Sequence, residues 1–291
     1  MALFTGCAVS LITPFRNGAI DEDALARLTE LQIASKISAI CILDNAGEAR
    51  SLSEDEKLFI TQFIVERVNG RVPVIACAYA ADTSSVIEYA RSAQAIGADA
   101  IMVTTPYFGA LSQEAIRSHF EMIFDELEIP VFLKNDPVST GNNISSETLA
   151  AFVQNYKPAG IVDCSGKTIN TIDFISVASG IDLFAGNEQD IIPAVSLGAA
   201  GVFSSAANIV PEIIQELFET ADSGKFNVAR ALLFQLQPLL KALDLGVSPA
   251  AIKTMLEIVK LCSGEMRIPL IPLNKEQLST VTDVLKGYEM I

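Results

Sequence analysis

Eight short runs of apolar, mostly β-branched residues recur along this chain: AVSLI (8–12), ISAICIL (37–43), PVIACA (73–78), DAIMVTT (99–105), PVFLKN (130–135), AGIVDC (159–164), DLFAGN (182–187) and AGVFSS (200–205). They are continuously apolar rather than alternating, as strands are when a parallel sheet is covered on both faces. Amphipathic stretches separate them. "SEDEKLFITQFIVERV" opens on Ser53 with Glu56 three residues later, the pattern of reciprocal N-terminal capping; "SQEAIRSHFEMIFDEL" opens in the same way on Ser112, and "SSETLAAFVQNY" follows from Ser145. Strand starts recur about every 18–35 residues, the period of a βα unit. Eight units predict an α/β fold, a closed (β/α)8 TIM barrel, rather than an open doubly wound sheet. No GxGxxG or Walker-type loop is present to hold a nucleotide phosphate. From about residue 210 the pattern is wholly helical and exceeds what an eighth helix needs. The expected organisation is a barrel over 1–222 and a C-terminal helical extension over 223–291, packed on it with no low-complexity linker between.

Composition narrows the function. Half of the 291 residues are hydrophobic and the net charge is −15. Such a chain repels nucleic acid and anionic membranes, and no Lys/Arg cluster overturns that. One histidine, His119, and no tryptophan argue against a His-based metal site or an aromatic cage. The five cysteines (Cys7, Cys41, Cys77, Cys164, Cys262) are widely spaced, form no CxxC pair, and mostly end apolar runs. They are expected to be buried, reduced thiols. "MALFTGCAVSLITPF" lacks a basic n-region and reads as a first strand, and no run approaches a membrane span. A cytoplasmic protein is the expectation.

In a barrel of this kind the active site lies at the C-terminal ends of the strands. Asp44, Glu48, Asp136, Asp163 and Glu188 fall there and make the mouth acidic; Lys134, closing the apolar run "VFLKN", is a cation in its midst. A bare ammonium is costly to bury, so Lys134 needs a role. Glu48 and Asp163 equally suit helix capping. Fold class alone implies a small-molecule site in this mouth and leaves the reaction open.

From "TGCAVSLITPF" through "DNAGEARSLSEDE", "TPYFGALSQEAIRSHF", "KNDPVSTG", "GIVDCSG" and "AGNEQ" to "RIPLIPL", the chain resembles the dihydrodipicolinate synthase/N-acetylneuraminate lyase family of pyruvate-dependent class I aldolases. The matching family segments are G-T-T-G-E, T-P-Y-Y, Y-N-x-P-x-R-T-G, G-I-K-E-x-x-G and G-D-D. The resemblance implies a TIM barrel with C-terminal helices, a homodimer or homotetramer, no cofactor or metal, and a small carboxylate or 2-keto acid as ligand. It also implies that the chemistry is altered. The family's Schiff-base lysine falls on Val162, its relay tyrosine on Lys134, the hydroxyl residue of that relay on Asn45 and the next threonine on Ala46. The tyrosine lent by a neighbouring subunit falls on Phe108, and the arginine for the incoming carboxylate on Ser139. The substrate pocket is expected on Asn45, Ala46, Phe108, Asp136, Ser139, Asp163, Gly186 and Phe203.

The role of Lys134 stays open. It is a catalytic nucleophile moved from the sixth strand to the fifth, or it is a charge partner of Asp44 and of Asp136, which shares its face of the strand, or a cation for a ligand carboxylate. Correspondingly, the chain is a lyase or aldolase with a remodelled pocket for a small 2-keto acid, or a catalytically inactive paralogue acting as a small-acid binding or structural protein. Lys167, just past the sixth strand, is expected to open a helix and face water. Many family members bind free lysine at their tight-dimer interface. Here Ala49, Glu54, Lys57, Ala81 and Ser85 stand on the matching stretch, with only Tyr107 kept, so no lysine binding is expected.

Overall fold

The computed structural model describes residues 3–291. Eight parallel strands close into a barrel: β1 (Gly6–Ser10), β2 (Ala39–Ile42), β3 (Val74–Ala78), β4 (Ala100–Thr104), β5 (Val131–Asn135), β6 (Gly160–Asp163), β7 (Asp182–Ala185) and β8 (Gly201–Ser204). Each lies inside or against one of the eight apolar runs. β1 begins two residues earlier than its run suggests, because Gly6 pairs with Gly201 at the seam where β1 meets β8. A Cβ on Gly201 would stand 2.1 Å from the Gly6 carbonyl oxygen, so the seam closes only on glycine.

The helices α1 (Glu22–Ala34), α2 (Glu54–Val68), α3 (Thr83–Ile96), α4 (Gln113–Glu126), α5 (Ser146–Asn155), α6 (Thr168–Val177), α7 (Ile191–Ser196) and α8 (Pro211–Asp222) surround the barrel. Ser53 accepts the Glu56 N–H at 3.2 Å, and its own N–H donates to the Glu56 carboxylate at 2.9 Å, the expected reciprocal cap. Ser112 caps α4 through the Ala115 N–H alone. The expected return bond is missing because the third residue on is an alanine. Ser145 caps α5 in the same one-way manner through the Thr148 N–H.

Inside the barrel, Phe4, Phe132, Phe184 and Phe203 form an aromatic plug, with ring centroids 4.8–6.3 Å apart. It fills the barrel below the mouth. The mouth above it is polar.

The extension consists of α9 (Phe226–Leu243), α10 (Ala250–Ile258) and α11 (Lys275–Gly287). α9 packs on α8, and α10 and α11 pack on each other. A two-residue hairpin after β1, with Asn17 and Gly18 both at positive φ, is gripped by Glu265, which accepts both of their N–H groups. Lys253 of α10 has no exposed surface. It pairs with Glu48, donates to the Glu265 carbonyl at 2.9 Å and lies 4.2 Å from the centroid of the Phe15 ring. Glu48 is therefore not a helix cap but one half of a buried ion pair that fastens the extension to the loop after β2. All five cysteines are free; the Sγ atoms of Cys41 and Cys77 meet at 3.3 Å inside the wall. Among the described residues no helix is long and apolar enough to cross a membrane.

Candidate functional site

β5 sends Phe132 into the aromatic plug and, two residues on, Lys134 into the polar layer above it. In register, Lys134 lies between Thr104 on β4 and Val162 on β6. Its ammonium reaches across the mouth to the end of β2, where Nζ stands 2.6 Å from Asp44 Oδ1. Asp136 Oδ2 is 3.8 Å away, and the Tyr79 ring centroid 5.6 Å. Asp44 is fixed from three sides: Ser10 Oγ donates to Oδ2 at 3.0 Å, Tyr79 Oη donates to Oδ1 at 3.2 Å, and Lys134 takes the remaining approach. Leu43 and Glu48, on either side of Asp44 and the 3₁₀ turn Asn45–Gly47, adopt left-handed backbone conformations. Side chains tolerate that conformation only at a cost the surrounding structure must hold.

Burial by itself would lower the Lys134 pKa. Asp44 in contact and Asp136 nearby outweigh it and hold the amine well above its ordinary value, so Lys134 is an ammonium at neutral pH. Burial would likewise raise Asp44, but Lys134 and the donors from Asn45 and Ser10 hold its carboxyl below the usual range. The buried Tyr79 phenol is pushed well up, so it remains a donor. Burial also pushes up the Cys164 thiol, so the sulfur beside the site is not a ready thiolate.

Above this layer opens a cavity of about 400 Å³. Of the residues expected from sequence, it brings together Lys134, Asn45, Ala46, Asp136, Ser139, Gly186 and Phe203, with Val162 beside them. Two others lie elsewhere. Asp163 turns into its own loop, accepting the Ser165 N–H at 3.1 Å and the Thr171 hydroxyl at 3.0 Å, so its carboxylate is spent on the turn into α6. Phe108 is 93% exposed at φ +78°, pointing out of the molecule. Glu188, also expected in the acidic mouth, is tied to Ser204 Oγ and the Ala206 N–H after β8. Lys167 is exposed at the start of α6, as expected. Sequence reasoning missed Ser10 and Tyr79, which fix Asp44, and Asp244 and Ser248, which the extension contributes to the cavity wall. It also missed Lys253. A lone lysine inside "AAIKTMLEI" carried the same signal as Lys134, a charge in an apolar run.

Residues 3–288 match the model of the dihydrodipicolinate synthetase family. The chain belongs to that family. Among its relatives, 4-hydroxy-tetrahydrodipicolinate synthase 1 of Clostridium acetobutylicum is 35% identical over 292 residues, all of both chains, and the corresponding synthase of Pelobacter propionicus is 33% identical over 99% of this chain and 100% of its own. A crystal structure of a dihydrodipicolinate synthase superimposes with a TM-score of 0.97 at 32% identity, covering 99% of this chain and 100% of that one. The family is one of pyruvate-dependent lyases and aldolases, and the barrel and C-terminal helices described above are its fold.

Proposed function

We propose that this member of the family uses its barrel mouth to bind a small polar molecule without forming an imine. The ammonium of Lys134, locked 2.6 Å from Asp44, carries the reading. Imine formation needs a neutral amine, and two carboxylates keep this one charged. Resemblance assigns the family's Schiff-base lysine to Val162, whose alkyl side chain has no nucleophile. Asn45, Ala46, Phe108 and Ser139 likewise replace the relay and carboxylate-binding residues. Lys134 then acts as the structural cation of a remodelled pocket. Resemblance also supports a homodimer or homotetramer, and the outward-pointing Phe108, its ring 5.1 Å from that of Tyr107, suits a neighbouring copy.

One observation favours a second reading. Lys134 and Val162 are register partners on adjacent strands, so the amine enters the same space by a shift of one strand. The protein would then be an aldolase whose nucleophile is Lys134.

Incubation with pyruvate and borohydride, followed by mass spectrometry of the whole chain and its peptides, separates the two. The unmodified mass is expected. A pyruvyl adduct on Lys134, abolished in a normally folded Lys134→Met variant, establishes the aldolase instead.

A further inference from the structure

The charges of the cavity extend this reading, on which the following inference rests, to the class of ligand. Lys134 gives its ammonium to Asp44 at 2.6 Å. Asp136 shares that ammonium only at longer range, 3.8 Å. Its side chain is nine-tenths buried and lines the cavity, yet its hydrogen bonds come from neutral donors, the Ser139 N–H at 3.1 Å and Asn45 Nδ2 at 3.2 Å. Arg50 lines a small adjoining pocket with Asp136 and Lys134, but among the described residues Asp136 forms an ion pair with Lys134 alone. Two buried carboxylates sharing one ammonium leave a net negative charge, which favours a ligand that supplies a second cation. Asp244, exposed on the extension side of the same cavity, adds a second negative charge at its edge. Arg50, exposed at the rim, lies 5.3 Å from the centroid of the Tyr107 ring and pairs with neither aspartate. A ligand carboxylate entering here meets more negative charge than positive.

We infer that the cavity takes a small polyhydroxylated molecule carrying an ammonium group, with the ammonium against Asp136 and the hydroxyls among Ser139, Ser205 and Ser248. Its volume of about 400 Å³ suits a ligand of sugar size, and its remaining polar lining is hydroxyl and amide rather than cationic.

A matched set of probes varies only the charge: 1-amino-1-deoxyglucitol, glucitol and gluconate, with pyruvate alongside, each titrated by calorimetry or protein-observed NMR. The aminopolyol is expected to bind up to about fivefold more tightly than glucitol, as one partly solvated ion pair allows. Gluconate should bind more weakly still, and the preference should shrink in high salt. Asp136→Asn keeps the cap on Ser139 and should erase the gap between aminopolyol and glucitol; Asp244→Asn should narrow it. The inference is overturned if gluconate or pyruvate binds as well as the aminopolyol. It is also overturned if the aminopolyol shows no saturable binding at tens of millimolar, or if Asp136→Asn leaves the preference intact. A borohydride-trapped pyruvate would instead remove the reading beneath it; anion preference with no trapped adduct rejects the ligand class alone.

Discussion

Replacing Lys134 with methionine removes one partner of a pair whose side chains are only 6% and 8% exposed. At 2.6 Å and an effective dielectric of about 20, the gross attraction is about 6 kcal/mol. Part of that already offsets the desolvation of both ions, and breaking such a pair costs about 3–5 kcal/mol net, because the remaining carboxylate is buried without a counterion. At about 2.1 cal/mol/K per residue over 291 residues, the unfolding entropy is near 0.6 kcal/mol/K, so Tm should fall by about 5–8 °C at neutral pH. The pH dependence has a definite sign. Asp44 has a depressed folded pKa, so in the wild type its contribution is complete above the unfolded value of about 3.9 and is lost as pH falls through the folded one. Lys134 has a raised folded pKa, so its contribution is complete below about 10.4 and is lost only as pH rises through the folded value. The wild-type pair is thus fully effective between those limits. In the methionine variant, Asp44 loses its cation and its pKa rises, so the variant should recover stability as mild acid protonates that carboxyl. Differential scanning at about pH 8 and pH 5 should therefore show a smaller deficit at the lower pH, and Asp44→Asn added to Lys134→Met should restore part of the loss at pH 8. A Tm change of less than about 1 °C, or a deficit equal at both pH values, would mean that the pair is effectively solvated and that Lys134 is not the structural cation.

Phe132→Ala removes the centre of the aromatic plug and should cost about 3–5 kcal/mol, read from the shift in urea midpoint with m unchanged. Lys253→Met leaves Glu48 buried without its cation; it should cost a similar ~3–5 kcal/mol and make the extension cleavable by protease before the barrel unfolds. Calorimetric titration with free lysine should show no submillimolar binding, since Lys57 places a cation on the stretch that the resemblance assigns to lysine binding. Light scattering at micromolar concentration should give a dimer or tetramer; a monomer alone would remove the assembly read from Tyr107 and Phe108.

The fold was legible because its signal is local. Eight apolar runs, each bounded by small or polar residues, need no knowledge of their neighbours to read as strands. The pairing of Lys134 with Asp136 was half legible for the same reason, since residues two apart share a face. That Asp44, ninety residues earlier, would be the closer partner depends on how far the mouth spans from β2 to β5, which only closure of the barrel decides. Tyr79 and Ser10 carry no local mark distinguishing them from any other polar residue at a strand end. Asp163 and Asp136 look alike in sequence, each an aspartate at the end of an apolar run. They part company because a threonine one helical turn into α6 captures the first, while the second stays on the cavity wall.

The bond between Glu48 and Lys253 also bears on the order in which the molecule can be made. On the ribosome the loop after β2 emerges some two hundred residues before α10 does. Throughout that interval the carboxylate destined for the interior has no ammonium to meet, and the seam between Gly6 and Gly201 is open for most of it. The cavity wall that Asp244 and Ser248 complete is among the last parts to be synthesised, so the cavity can be complete only when synthesis is nearly over.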